Sequence, residues 1–513
     1  MRRRERQTLW AATLTNGPTE LIDFVLPLWA GVALGLGATE VGVLMAVEMA
    51  LSVVVRPIAG VLADRCERRY VAAVGALLYA VSCAGYALAG HVFVAYAAAA
   101  VGGAGGALLW VAVRAVVSER LAEDSAVFPR LLTAQETGSW VAFVGGMTLL
   151  GVIGFAGLFW ACAVACLVAA GLLLSAPRRG VRPGEGLAAA GIGAVGRRLR
   201  PMLFAVAMTM AAESAVSLLL LLHLQRGFGL EVVQVAYVFL PGAIAMSVAA
   251  EYLHRYVVRF GRSRVLMAAS SASCVFAVSL AWAPGPYVIA ALWVLSGLAW
   301  AAVMPVQQAV IAEASGAQVG RGMGVYESAC LVGGLIGSLV AGVLYDGANW
   351  PVACVVAGGM ILAGAVVVPR AVRRLGVREF PPPPPKAEEA VTSEPAGMTE
   401  PVVISKPVVV SEEQPRPASK TKPLKSQARL LTDLGVHIGL FAVSQVVLAF
   451  FDLSWVRDLI TRDFGTVVLG RVERDGGGAF LYGAGRVWAV ILIADLIWTT
   501  VKVVQNRSTA TRT

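Results

Sequence analysis

Charged residues are scarce in this chain, since aspartate, glutamate, lysine and arginine make up only 14% of its 513 residues. A soluble globular protein has about 25%, whereas 58% of this sequence is hydrophobic and its mean hydropathy is +0.74. The deficit excludes an ordinary soluble protein and predicts an integral membrane protein that lies in a lipid bilayer. The net charge is +10, but the basic residues recur in alternate loops and form no single patch, so we expect no nucleic-acid binding.

Cysteine and histidine offer little chemistry, with seven and four residues respectively. Six cysteines lie in apolar runs and Cys66 lies in a basic loop, so their spacing suggests no disulfide framework. Cys162 and Cys166 are one helical turn apart, but no histidine pair accompanies them, and we interpret them as packing residues. We therefore predict neither a metal site nor a cofactor.

Twelve apolar runs, each near the length of about 20 residues that crosses a bilayer, occupy the chain between residues 8 and 368. The first contains Asn16, Glu20 and Asp23 and no small-residue cleavage site, so it is predicted to be a retained helix and not a signal peptide. Arginines concentrate before the first run and after the second, sixth, eighth and twelfth. By the positive-inside rule, both ends of this block are cytoplasmic in a multi-pass protein of the cell membrane.

The loop after the second run carries the most specific motif, GVLADRCERR at residues 60–69. It resembles the signature loop of the major facilitator superfamily, roughly G-x-L-x-D-R-x-G-R-R, except that Glu67 stands where the family usually has glycine. The alternative interpretation is an ordinary positive-inside loop. The resemblance, which covers residues 8–370, implies a gating latch: the aspartate faces the start of the eleventh helix, and Arg65 or Arg68 pairs with an acid that ends the fourth. The residues of the latch would be Gly60, Asp64, Arg65, Arg68, Arg69 and Glu119.

An internal repeat supports the same family, because four matches recur in one order at an offset near 190 residues. They pair Asn16 with Thr209, Glu20 with Glu213, Glu119 with Glu313, and Glu136 with Glu327. We expect two six-helix halves, residues 1–176 and 201–370, joined by a cytoplasmic loop at 177–200.

Acidic residues inside the predicted membrane helices are the candidate functional residues. Asn16, Glu20 and Asp23 share one helical face, and Thr209 and Glu213 form a similar stripe. Ionised carboxylates at such depth are costly, so we predict that they line a substrate cavity and bind the coupled proton; the alternative is hydrogen-bonded structural acids. Arg114, whose repeat partner is Gln308, is a candidate counter-ion for Glu20 or Asp23, a contact for an anionic substrate, or an arginine that snorkels to water.

Two further charges, Glu48 and Arg56, interrupt the second run, either as polar lining or as a structural ion pair. The composition changes after this block: residues 371–429 are proline-rich and predicted to be a disordered cytoplasmic linker. Residues 430–513 are predicted to form a two-helix membrane hairpin with an interfacial segment.

The sequence therefore predicts an all-α integral membrane protein with a twelve-helix, six-plus-six major facilitator fold and an appended pair of transmembrane helices. The predicted function is secondary active transport of a small organic molecule by alternating access, as proton-coupled efflux by a monomer. Proton-coupled uptake of a metabolite and a non-transporting sensor or scaffold are the alternatives. We predict no enzymatic activity, because the external stretch near 452–485 is too short and too balanced in charge for a membrane glycosyltransferase.

Overall fold

A computed structural model describes residues 3–178, 191–230, 232–381, 427–450, 453–462 and scattered positions between 467 and 500. Within these residues all regular secondary structure is helical, and eight stretches are long and apolar enough to cross a membrane. The all-helical membrane class is thereby confirmed. The helices are α1 Arg3–Ala33, α2 Ala38–Arg65, α3 Arg68–Leu88, α4 Val92–Val117, α5 Val127–Ser175, α6 Ile192–Leu222, α7 Val232–Phe260, α8 Arg262–Ser279, α9 Pro286–Ser315, α10 Val319–Gly347, α11 Trp350–Arg374, α12 Gln427–Phe450 and α13 Trp455–Thr461.

Helix α5 joins two apolar runs that the sequence predicts as separate helices. Its only non-helical residue is Gly154, with φ 65° and ψ −179°. A residue with a side chain is strained at this positive φ, whereas glycine adopts it at little cost. Gly154 therefore kinks the helix without a loop.

Helices α1–α5, here called the N half, and α6–α11, the C half, repeat one packing scheme. Helix α1 packs on α5 as α6 packs on α10, α2 packs on α4 as α7 packs on α9, and α3 packs on α4 as α8 packs on α9. The halves meet where α2 contacts α10 and α5 contacts α7. We call the end of the bundle that carries Asp64 the motif end.

The chain divides into two compact units, Met1–Pro384 and Pro385–Thr513. The first includes part of the predicted linker, because α11 continues to Arg374 and Glu379 is fixed to the start of α8: its carboxylate accepts hydrogen bonds from the Ser263 backbone N–H (2.7 Å) and hydroxyl (2.8 Å). The rest of the predicted linker, residues 382–426, lies outside the described residues.

In the second unit, α12 is joined to the following chain by His437, whose Nδ1 lies 2.8 Å from Asp495 Oδ2 and whose Nε2 accepts a hydrogen bond from Trp488 Nε1 at 3.0 Å. The predicted interfacial segment contains α13. The predicted last helix, near residues 486–504, falls only partly within the described residues.

We expect a chain that ends at Phe380 to remain folded in detergent, because the contacts of Glu379 are retained. A chain that ends at Val377 loses Glu379 and the Arg378 carbonyl that accepts from Arg262 at 3.0 Å. Losing these hydrogen bonds should cost about 1–3 kcal/mol and lower the melting temperature. Size-exclusion profiles and thermal unfolding test the pair; equal stability of the two truncated chains would contradict the assigned role of Glu379.

Close approach of α3 and α4 depends on Gly75, where an added Cβ would lie 2.7 Å from the Gly105 carbonyl oxygen. Gly75→Ala should therefore destabilise the fold by about 1–3 kcal/mol, as overpacking does. Gly171→Ala on α5 is the matched control, because its Cβ would meet nothing within 4 Å. Thermal unfolding in detergent measures both; equal melting temperatures would show that the α3–α4 contact relaxes freely.

Candidate functional site

Asp64, at the end of α2, makes a contact between the halves. Its carboxylate accepts hydrogen bonds from the backbone N–H groups of Gly320 (2.7 Å) and Arg321 (3.1 Å), and Arg321 Nη1 lies 3.5 Å away. Both N–H groups belong to the first turn of α10, where backbone donors lack intrahelical partners and the helix dipole is positive. Asp64 therefore caps a helix of the opposite half.

Glycines allow the two backbones to touch at this contact. A Cβ at Gly60 would lie 2.7 Å from the Gly320 carbonyl oxygen, and a Cβ at Gly324 would lie 2.6 Å from that of Arg56. Any side chain at either position would force α2 and α10 apart. The seam is therefore tight over about one turn of α10, from Gly320 to Gly324.

The motif arginines make contacts within the N half. Arg68 donates from Nη1 to the Ala115 carbonyl (2.9 Å) and to Glu119 Oε1 (3.3 Å). Arg69 donates to the carbonyl oxygens of Leu174 and Ala176 at the end of α5. Arg65 is exposed. Of the two arginines that the resemblance offers as partners of Glu119, the structure places Arg68 there.

Glu67, which stands where the family's motif usually has glycine, is accommodated by the first turn of α1. Arg4 Nη1 donates to Glu67 Oε1 at 2.8 Å, and Arg4 Nη2 donates to Glu119 Oε1 at 3.2 Å. The added anion is thus neutralised by a cation from another helix. The loop keeps its ion pair between Arg68 and Glu119.

The C half repeats this pair. Arg262, which is almost fully buried, binds both carboxylate oxygens of Glu313. Arg68 and Glu119 are 51 positions apart, and so are Arg262 and Glu313. The repeat seen in the sequence is therefore matched by a repeated ion pair, although the C half has no counterpart of Asp64 in its motif.

A second charged contact between the halves lies deeper, and we call it the inner triad: Arg56, Arg114 and Glu327. Arg56 Nη1 lies 2.6 Å from Glu327 Oε2, and Arg114 Nη1 lies 2.9 Å from Glu327 Oε1. The three side chains are only 11%, 9% and 7% exposed, respectively. Arg56 and Glu327 lie eight residues inward from Asp64 and Val319, or about 12 Å along their helices.

The inner triad changes the assignment of the predicted cavity residues. Among the described residues, Arg114 pairs with Glu327 and not with Glu20 or Asp23, and Arg56 likewise pairs with Glu327 and not with Glu48. Gln308, the repeat partner of Arg114, is buried at 2% exposure. Sequence reasoning used Glu327 only as evidence of the repeat; its match to Glu136 was the signal that it lies inside the bundle.

Three polar contacts of the other seam, between α7 and α5 with the residues just before it, join neutral groups. Ser125 Oγ lies 2.9 Å from His254 Nε2, Thr137 Oγ1 lies 3.0 Å from Ser247 Oγ, and Thr133 donates to the Ser247 carbonyl at 2.9 Å. Hydrogen bonds between neutral groups contribute less than charge-assisted ones. Charged groups also face each other at this seam, since Glu251 of α7 interacts electrostatically with Arg130 of α5.

Four carboxylates of the N half lie within electrostatic reach of one another. Asp23 interacts with Glu20 and Glu48, and Glu20 interacts with Glu136. Glu20 and Asp23 have exposed side chains, so they border open space and not packed core. In the part of the chain that the structure describes, none of the four forms an ion pair with a basic side chain. We call them the acid group.

The remaining predicted residues divide between structure and cavity. Asn16 is buried and donates to the Gln135 carbonyl (3.2 Å) and Ser139 Oγ (2.6 Å), so it fastens α1 to α5. Glu213 accepts a hydrogen bond from Trp300 Nε1 and borders a cavity of about 20 Å³, enough for one water-sized particle. The cavity is lined by Thr209, Glu213, Ser270, Ser273 and Trp300, with apolar side chains around them. Glu20 and Glu213 therefore have different surroundings despite their repeat relationship.

No group of three or more histidine, cysteine, aspartate or glutamate side chains in the described ranges is arranged to hold a metal ion.

A family model described as the Major Facilitator Superfamily matches residues 9–257 and 202–498, and the chain belongs to this superfamily. No curated protein sequence gives a significant match. Among solved structures, the human organic anion transporter MFSD10 (TETRAN) is similar at 16% identity and a TM-score of 0.60, over 71% of this chain and 99% of that one. A variant of the Escherichia coli fucose:proton symporter FucP has the same identity and TM-score over 73% of this chain and 98% of its own. At this identity the two structures show a shared fold.

The two charged contacts predict graded loosening of the α2–α10 seam. Glu327→Gln leaves two buried guanidinium groups without a carboxylate, which typically costs about 3–5 kcal/mol. Asp64→Asn leaves only one, that of Arg321 at the longer distance of 3.5 Å, and keeps an amide oxygen that can accept from the N-terminal turn of α10. Spin labels can be attached at Cys66 and at Ala317→Cys, both of which are exposed, once the other cysteines are replaced. Double electron–electron resonance between the two labels then measures the separation of the halves. We expect a longer-distance population to grow from the parent protein to Asp64→Asn to Glu327→Gln.

Glu313→Gln is the matched control for this experiment, since it breaks an ion pair of comparable closeness inside the C half alone. The control should leave the distance distribution unchanged. An unchanged distribution in Glu327→Gln would show that the inner triad does not hold the halves together.

Proposed function

We propose that the chain is a secondary active transporter that exports small organic cations in exchange for protons, by alternating access. Membership of the superfamily supports transport. The observation that carries the mechanism is the closure of the N half on the C half at the motif end through polar contacts, namely those of Asp64 and the inner triad, which can break and re-form.

The proposed architecture has twelve membrane segments. Counting α5 as two segments on either side of Gly154, the N half has six, and α6–α11 supply six more. Both halves belong to one chain, so we propose that the monomer transports. The motif end is proposed to be cytoplasmic because the arginine-rich loops lie there. With that end closed, this conformation would face outward.

The charge of the acid group supports a cationic substrate. Carboxylates inside a membrane protein are stable only when they are protonated, solvated or paired with a cation, and Glu20, Asp23, Glu48 and Glu136 have no basic partner among the described residues. An organic cation that borders them would supply that charge. An anionic substrate would meet repulsion there.

The same acids provide a route to proton coupling. A carboxylate that binds either a proton or a cation makes the two ligands compete, and competition in a carrier with two alternating states produces exchange. Glu20 and Asp23 would serve the N half. Glu213, whose hydrogen-bond partner Trp300 carries no charge, would bind a proton in the small cavity of the C half.

A transport screen tests this function directly. Cells that overproduce the full chain should resist toxic lipophilic cations such as tetraphenylphosphonium, and their everted membrane vesicles should release protons when that cation is added. Nutrient-dependent growth without resistance would favour proton-coupled uptake instead. If no solute moves in either assay, the chain is a sensor or scaffold.

We expect Glu20→Gln and Glu213→Gln to uncouple transport, because glutamine mimics a permanently protonated acid. In proteoliposomes each variant should still exchange labelled substrate across the membrane but should not concentrate it in response to a pH gradient. Glu40→Gln is the matched control: Glu40 is exposed and only caps the Gly37 N–H at 2.9 Å, a bond that glutamine can also accept. A double variant that stays fully proton-coupled would place coupling elsewhere.

A further inference from the structure

An apolar groove of about 430 Å³ opens on the outside of the C half at the motif end. Its walls are α7 and α8 and its floor is α9, with Leu253, Phe260, Ala268, Ala272, Leu298 and Ala302 among the lining residues. The alanines of α8 stand opposite large side chains of α7, so the two helices leave a gap between them. Along α8 the groove runs from Arg264 to Ala272, about 12 Å at 1.5 Å per residue.

Among the described residues that line the groove, Arg264 is the only charged one, and it is exposed at the groove's motif end. Two more exposed arginines lie on α7, each against an aromatic residue that lines the groove. Arg255 stacks 3.3 Å above the ring of Tyr252 and donates a hydrogen bond to the Tyr256 hydroxyl at 2.9 Å, and Arg259 lies over the ring of Phe260. Aromatic stacking of this kind fixes a guanidinium group without neutralising it.

The nearby acids are engaged elsewhere. Glu313 binds Arg262, and Glu379 binds the start of α8 through Ser263. Within the described residues, Arg255, Arg259 and Arg264 have no ion pair with a carboxylate. The groove thus combines an apolar trough with one unneutralised cation in its lining, Arg264, and two more against its aromatic residues.

We propose that this groove binds an anionic phospholipid, with one acyl chain in the apolar trough and the phosphate on Arg264, while Arg255 and Arg259 add positive charge on the adjoining face of α7. Basic residues at the ends of membrane helices attract anionic headgroups, and an apolar trough removes an acyl chain from competing contacts. The exposed guanidinium group of Arg264 at the motif end of the trough favours an occupant that joins an anionic headgroup to an apolar chain. The inference does not depend on the proposed substrate or direction of transport.

Native mass spectrometry of the purified, delipidated full chain tests the site, with palmitoyl-oleoyl phosphatidylglycerol and phosphatidylcholine as matched probes. The parent protein should prefer the anionic lipid. Arg264→Gln should weaken phosphatidylglycerol binding about fivefold, as expected for one basic residue at a membrane surface, and leave phosphatidylcholine binding unchanged. Arg370→Gln is the control, because Arg370 is also an exposed arginine near the motif end but donates to its own helix, at the Val366 carbonyl.

The trough is tested separately by filling it. Ala272→Leu and Ala272→Phe should reduce binding of both lipids while size-exclusion profiles stay monodisperse, and agreement between the two variants guards against a misfolded one. Equal lipid binding by Arg264→Gln and the parent protein would overturn the headgroup assignment. If soluble glycerol phosphate binds as tightly as phosphatidylglycerol, the groove is a simple anion site. If lipid binds only to the chain that ends at Phe380, the protein's own following segment fills the groove in the full chain.

Discussion

The cost of burying charge governs the contact between the halves. Arg56 and Arg114 lie where water has little access, and each is stable there because it shares the carboxylate of Glu327, which comes from the opposite half. Separation of α2 from α10 removes that carboxylate, so it must be accompanied by entry of water or by a new anionic partner. Two guanidinium groups against one carboxylate also leave the triad with a net positive charge. The strength of the contact that holds the closed arrangement therefore depends on how much water reaches the inner triad.

Charge is distributed unequally between the two ends of the N half. Near the motif end, acids have arginine partners, whether within the half, as for Glu119 and Arg68, or across the seam, as for Glu327 and Arg56. Deeper in, the acid group has no basic partners among the described residues. Paired charges hold a conformation, whereas unpaired carboxylates are open to protons and cations. The molecule thus separates the groups suited to closing it from the groups suited to binding.

Local patterns were enough to predict the membrane class, the family and the repeat, because apolar run length, loop arginines and the GVLADRCERR motif are properties of neighbouring residues. The motif also located the contact that Asp64 makes with α10. The inner triad was out of reach: Arg56 and Glu327 are 271 positions apart, and nothing in either helix specifies the other. The partner of Arg114 was equally hidden: the sequence left a counter-ion, a substrate contact and a snorkelling arginine open, whereas the packing of α4 on α10 brings it to Glu327. The kink at Gly154 results from the positive φ of that residue, and the presence of a glycine in the sequence does not reveal which φ it adopts.

The salt bridge between Arg4 and Glu67 has a practical consequence for handling the protein. In the family this loop usually contains a glycine, but here its shape depends on the side chain of Arg4, close to the start of the sequence. Purification tags, fluorescent fusions or linkers attached ahead of Arg3 would crowd this bridge and alter the loop in ways unrelated to any substitution under study. Labels are better attached at the far end of the chain, where Met1–Pro384 is left as it is.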